Sequence, residues 1–158
     1  MEVLLARFRS GLPVATALEG GASSADELVE RFLSAVARGD TVTLAKLRVT
    51  RAEYAWLYFP TSVYAAAPYE LTPDVAWMLS TAASDKGLTR VVRRLGGAQL
   101  ELRGYTCAKQ GREGENRFWR DCTLAYDHPV DGSASRQLFG GIMEHAGRYK
   151  FLSYANDF

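Results

Sequence analysis

The sequence predicts an α+β fold, with the helices first and a meandering antiparallel sheet last. Three observations predict it. Helix caps and apolar residues at helical spacing recur between Ser24 and Leu95. Beyond Gly96-Gly97 the pattern changes to segments rich in aromatic, β-branched and large apolar residues, the types that suit strands. Those segments are separated by short turns, which can join antiparallel strands but not parallel ones.

The first residues, Met1 to Ala22, place Arg7 and Arg9 before Leu12-Pro13-Val14-Ala15-Thr16-Ala17-Leu18. This pattern has a weak signal peptide as one reading, but the apolar stretch is short, is broken by Pro13 and Thr16, and leads into Glu19-Gly20-Gly21, a poor cleavage site. The expectation is an N-terminal arm over residues 1–22, lying on a domain formed by residues 23–158.

Ser24-Ala25-Asp26-Glu27 is a capping box, a hydroxyl N-cap with Glu at N3. Val29, Phe32, Leu33 and Val36 follow at helical spacing, and Gly39 supplies the left-handed stop. Asp40 caps a short second helix carrying Leu44 and Leu47. Thr50-Arg51-Ala52-Glu53 is a second capping box, opening an aromatic helix (Tyr54, Trp56, Leu57, Tyr58, Phe59) that Pro60 is expected to end. Thr61 to Leu71 reads as a loop. Thr72-Pro73-Asp74 then opens the longest helix with a hydroxyl cap and Pro at N1, and Gly96-Gly97 closes it. Val75, Met78, Leu79 and Ala82 form one apolar stripe of this helix; Leu88, Val91, Val92 and Leu95 form another, nearly opposite. The helix is therefore sandwiched between layers, or it bends near Gly87.

Four strands are expected: Leu100 to Cys107, Arg117 to Asp127, Ser135 to Glu144 and Arg148 to Asp157. Ala108 to Asn116 reads as a polar loop, His128 to Gly132 as a turn and Ala146-Gly147 as a tight turn. Gly140-Gly141 inside the third strand marks a bulge or a sharp bend of the sheet.

A chain of 158 residues is the usual size of one domain. With 47% hydrophobic and 23% charged residues it is composed like a folded globule rather than a disordered chain. The formal net charge is +1 and the basic residues are dispersed, so nothing draws the chain to nucleic acid or a membrane surface. No apolar run approaches the roughly 20 residues of a membrane-spanning helix. Cys107 and Cys122 fall on paired strands, where cross-strand bridging is geometrically allowed. Two readings stand: buried thiols of a cytoplasmic protein, or a disulfide and hence a periplasmic or secreted one.

Two segments carry a family resemblance. At the front is Leu28-Val29-Glu30-Arg31-Phe32-Leu33-Ser34-Ala35-Val36-Ala37-Arg38-Gly39-Asp40; at the end is Gly147-Arg148-Tyr149-Lys150-Phe151-Leu152-Ser153-Tyr154. With the element order between them, they resemble the nuclear transport factor 2-like superfamily over Ser24 to Phe158. The resemblance implies helices packed in the concavity of a curved antiparallel sheet of four or more strands, with a pocket between them. Many members place a strand or hairpin before the long helix; here an aromatic segment and a loop occupy that place. The superfamily holds both enzymes and non-catalytic binding domains, so the fold alone gives no function.

Three functions follow as alternatives: binding of a small apolar ligand; catalysis by a buried carboxylate; and an interaction module that forms a homodimer through its sheet. Candidate pocket residues are Tyr54, Tyr58, Tyr64, Tyr69, Trp77, Asp85, Trp119, Asp121 and Tyr126, which line a cavity or pack the core. Among the carboxylates, Glu53 is accounted for by its capping box, and Glu101 alternates outward between Leu100 and Leu102. Asp85 in mid-helix and Asp121 in mid-strand, the latter with Arg103 or Arg120 as a partner, are the less comfortable ones. His128 and His145 adjoin turns. They do not combine with the two cysteines into a ligand set, so neither a metal nor another cofactor is expected.

Overall fold

The computed structural model describes residues 1–158. Five α-helical segments come first: α1 (Glu2–Arg9), α2 (Ala25–Arg38), α3 (Thr41–Lys46), α4 (Arg51–Glu53) and α5 (Pro73–Leu95). Five strands follow: β1 (Glu101–Glu113), β2 (Asn116–His128), β3 (Gly132–Arg136), β4 (Ile142–His145) and β5 (Arg148–Phe151). They form one curved antiparallel sheet. β2 is central: β1 runs along one side, while β4 and β3 share the other, and β5 flanks β4.

The caps act as their residue types dictate. Ser24 Oγ accepts the Glu27 N–H, and Gly39 ends α2 at φ +62°. Asp40 caps α3. Both halves of the Thr50–Glu53 capping box are made. Thr72 caps α5, with Pro at its first turn.

Two hydrophobic clusters hold the layers. The larger joins Phe32 and Val36 of α2, Val91 and Leu95 of α5, and Leu124, Phe139, Phe151 and Tyr154. The smaller joins Phe8 of α1, Tyr54, Tyr58 and Phe59, Ala76 of α5, and the cross-strand pair Phe118–Met143. The residues of the N-terminal arm are thus part of the structure: α1 buries Phe8, and Ala22 bridges to Tyr149 on the free edge of β5.

Glu53 does more than close a capping box. Its carboxylate accepts the Thr50 and Glu19 N–H groups and meets Lys150 Nζ at 2.9 Å. Glu53 and Lys150 are each 2% exposed, so the pair is sealed between the arm, α4 and β5.

Several expectations need correction. The aromatic helix does not stop at Pro60 as an α-helix. After Glu53 it widens into a π-helical turn, Tyr54–Tyr58, then tightens into a 3-10 turn, Phe59–Thr61, that contains Pro60. The wide turn puts Tyr54, Ala55 and Tyr58 in the interior, and the tight turn adds Phe59. The segment expected as loop holds a further 3-10 turn, Val63–Ala65. The residues expected as loop from Ala108 are strand: β1 runs to Glu113 and turns through Gly114-Glu115 into β2.

The expected strand Ser135 to Glu144 is two strands, one at each end of β2. The connection between them passes through Gly140-Gly141 and buries Leu138 and Phe139. The last strand ends at Phe151, and the chain beyond it folds back onto α5.

That tail explains the long helix. Its buried stripe is Ala76, Ser84, Gly87, Val91 and Leu95, and Val75, Met78, Leu79 and Ala82 face outward. The helix is neither sandwiched nor broken at Gly87. A Cβ at Gly87 would stand 1.8 Å from the Tyr154 carbonyl oxygen, so glycine is there to admit the tail. Around it, Ser84 Oγ accepts the Tyr154 N–H, and Asn156 Nδ2 donates to the Gly87 carbonyl.

Candidate functional site

The π-turn, the N-terminal half of α5 and the tail leave an apolar cleft between them. It measures about 290 Å³ and is lined by Tyr54, Tyr58, Tyr64, Leu71, Ala76, Leu79, Ser80, Leu152 and Ser153. Each wall has a local cause. The wide turn brings Tyr54 and Tyr58 to the same side. Ala76, Leu79 and Ser80 share a face of α5 because residues three and four apart are helix neighbours. Leu152 and Ser153 arrive because Gly87 lets the tail approach.

The tyrosines form two pairs, tilted or edge-on. Tyr54 lies 4.9 Å from Tyr58 and 5.0 Å from Trp77, centroid to centroid, and Tyr64 meets Tyr69 at 5.3 Å. Burial raises the pKa of Tyr54 and of Tyr58, so both phenols remain protonated donors. Tyr64 and Tyr69 lie outward on the rim with Val63, Val75, Met78 and Leu79, all exposed.

Arg48 stands directly behind the Ser80–Leu152 wall. Its Nη2 donates to Ser80 Oγ at 3.2 Å, its Nε to the Leu152 carbonyl at 3.4 Å, and its guanidinium lies 4.8 Å from the Trp77 ring centroid. Desolvation lowers its pKa, opposed in part by the charge of Asp85.

The candidates named from sequence divide. Tyr54, Tyr58 and Tyr64 line the cleft; Tyr69 and Trp77 pack edge-on against its lining. The other four lie elsewhere. Asp85 is exposed on α5. Tyr126 is buried in the larger cluster. Trp119 lines a broader groove of about 740 Å³ between the start of α2 and the β1–β2 hairpin, with Asp26, Tyr105 and Cys107. Asp121 is exposed on β2 and pairs with Lys109 at 3.3 Å, not with either arginine named from sequence. Trp119 and Cys122 pack on the same cluster although three residues apart, so the alternation of β2 skips a position around Asp121, whose φ is +55°.

Cys107 and Cys122 are opposite each other in register and are joined as a disulfide, S–S 2.08 Å. Of the histidines, His145 Nδ1 is 2.7 Å from Asn116 Oδ1, and His128 Nδ1 accepts the Val130 and Asp131 N–H groups.

Sequence reasoning missed Leu71, Ala76, Leu79, Ser80, Leu152, Ser153 and Arg48. The helical spacing of Ala76, Leu79 and Ser80 is a usable signal, but the apolar stripe that contains Leu79 reads as core. Nothing local to Arg48 announces that a tail one hundred residues later in the chain comes to lie on it. Comparison with family models, with curated proteins and with solved structures finds no match to this chain.

Proposed function

We propose that this is a ligand-binding domain, of the nuclear transport factor 2-like type that the element order resembles, whose site is the cleft beside Tyr54. The observation that carries the proposal is the lining: seven of its nine residues are apolar, in a cleft of about 290 Å³. That volume lies at the small end of ligand pockets. The lining includes no carboxylate, which favours binding over the acid–base chemistry of the enzyme alternative. The bridged cysteines support an oxidising compartment as its place of work.

The test is titration with the neutral fluorophore N-phenyl-1-naphthylamine. Saturable enhancement is expected, weakened about tenfold or more by Leu79→Lys, which sets a charge in the apolar cleft mouth. Leu79 is 54% exposed, so the substitution leaves the core intact. No saturable binding, or equal binding by the variant, overturns the proposal.

A second reading rests on the exposed row Val75, Met78 and Leu79, which suits pairing of this helix face with a second copy. It places the dimer contact on α5 rather than on the sheet. Sedimentation of the unaltered chain and of Met78→Lys tests it: equal, monomeric values reject it.

A further inference from the structure

We infer that the ligand of this cleft carries a single carboxylate at the end of its apolar body, received by Tyr54, Ser80 and Arg48. The inference rests on the cleft being a ligand site. It adds the chemistry of the polar end.

Two of these donors, Tyr54 and Ser80, line the cleft, and Arg48 stands behind Ser80, bonded to its hydroxyl. Tyr54 is 2% exposed and lines the cleft, yet its hydroxyl makes no hydrogen bond to the protein and is not sealed from solvent. A buried phenol ordinarily finds a partner, because leaving one unpaired costs free energy. Ser80 Oγ already accepts from Arg48, so its own proton is free to be given away. Ser153, also in the lining, is in the same position: its Oγ accepts the Ala155 N–H and donates to nothing in the protein. Each hydroxyl is thus left as a donor, and the complement of converging donors is an acceptor.

Arg48 sets the charge of that acceptor. No carboxylate lies within 4.0 Å of its guanidinium, unlike that of Arg31, Arg103, Arg117 or Arg120. Of its five N–H groups, Nε and Nη2 each make one bond; Nη1 makes none and is reachable from solvent. A half-buried cation held by a backbone carbonyl, a serine and an indole face has no carboxylate in direct contact, and the charge of Asp85 reaches it only from beyond ion-pair distance. Arg48 and Tyr54 both pack on the Trp77 ring, at 4.8 Å and 5.0 Å from its centroid, which brings the two groups to the same end of the cleft. One cation balances one negative charge. A dianionic head such as a phosphate monoester would leave a second charge uncompensated in an apolar cleft.

The experiment compares octanoate with 1-octanol, equal in chain length, as competitors for bound N-phenyl-1-naphthylamine. Octanoate is expected to displace the probe at about tenfold lower concentration, as a charge-assisted hydrogen bond implies. Tyr54→Phe keeps the ring and removes only the donor; it is expected to narrow the preference. Arg48→Gln is expected to abolish it while octanol binding persists. The comparison in the unaltered chain needs no variant to fold.

Equal displacement by both compounds overturns the carboxylate and leaves the cleft as an apolar site. Failure of the probe itself to bind overturns the cleft and the head group together. A preference for octanoate that survives in both Tyr54→Phe and Arg48→Gln assigns it to another place and overturns this site.

Discussion

Replacing Gly87 with alanine pits two principles against each other. In an exposed helix interior, Gly→Ala stabilises by about 1 kcal/mol through helix propensity. At Gly87 the new Cβ meets the Tyr154 carbonyl oxygen at 1.8 Å and its carbon at 2.7 Å. Both are backbone atoms, so no side-chain rotation relieves the overlap. The tail has to move roughly 1 Å or more to recover ordinary contact distance.

That displacement breaks bonds made across the same junction: Tyr154 N–H to Ser84 Oγ at 3.0 Å, Asn156 Nδ2 to the Gly87 carbonyl at 2.9 Å, and Arg90 to the Asn156 carbonyl at 2.9 Å. At about 1 kcal/mol each, their loss outweighs the propensity gain and leaves a net destabilisation of about 2 kcal/mol. Loosened packing of Tyr154 against Phe32 and Phe151 adds to it. For a chain of this length the expected fall in Tm is roughly 4–8 °C. Thermal unfolding followed by circular dichroism measures it. A Tm that rises for Gly87→Ala would show that helix propensity governs the position and would refute the close-approach account.

Glu53→Gln or Lys150→Met alone should cost about 3–5 kcal/mol, because each strands a buried charge; the double variant should cost less than the two singles combined, read by urea unfolding in a double-mutant cycle. Denatured, unreduced protein should show no reactive thiol, and removing the bridge with Cys107→Ala and Cys122→Ala should lower stability by about 3 kcal/mol for its 15-residue separation. Two reactive thiols in the unreduced chain would contradict the bridge. Hydrogen bonds from the Ser23 hydroxyl and N–H, with a smaller contribution from Arg31, hold Glu27 down to about 2 from its ordinary 4.5. A carboxyl with a depressed folded pKa contributes stability above its ordinary value and loses it as pH falls toward the folded one. Between pH 4.5 and 2, Glu27→Gln should therefore flatten the fall of Tm seen in the unaltered chain; identical acid limbs would contradict this.

What was legible in the sequence was what is decided within a few residues. Ser24, Asp40, Thr50 and Thr72 cap helices because their side chains reach an amide three residues on, and no distant contact overrides that. The change from helix to strand after Gly97 was legible for the same reason. The phase of α5 was half legible: the stripe of Leu88, Val91, Val92 and Leu95 packs on the core, and the stripe before it does not. Val75, Met78 and Leu79 are apolar, while its buried face carries Ala76, Ser84 and Gly87. Small residues mark the inside there because backbone, not a large side chain, packs against them. The break between β3 and β4 was half legible: Gly140-Gly141 signalled a bend, but not that the two halves pair with opposite ends of β2. Within the site, Tyr54, Tyr58 and Tyr64 were recoverable from aromatic clustering. Arg48 and Ser80 were not, since their roles are set by a tail far away in the chain.

The tail that Gly87 admits also gives the site a place in time. Tyr54 to Ser80, which supply seven of the nine lining residues, are synthesised early. Leu152 and Ser153 supply the last wall. No fragment that stops short of Ser153 has a finished cleft, so the cleft is completed only once synthesis has reached Ser153.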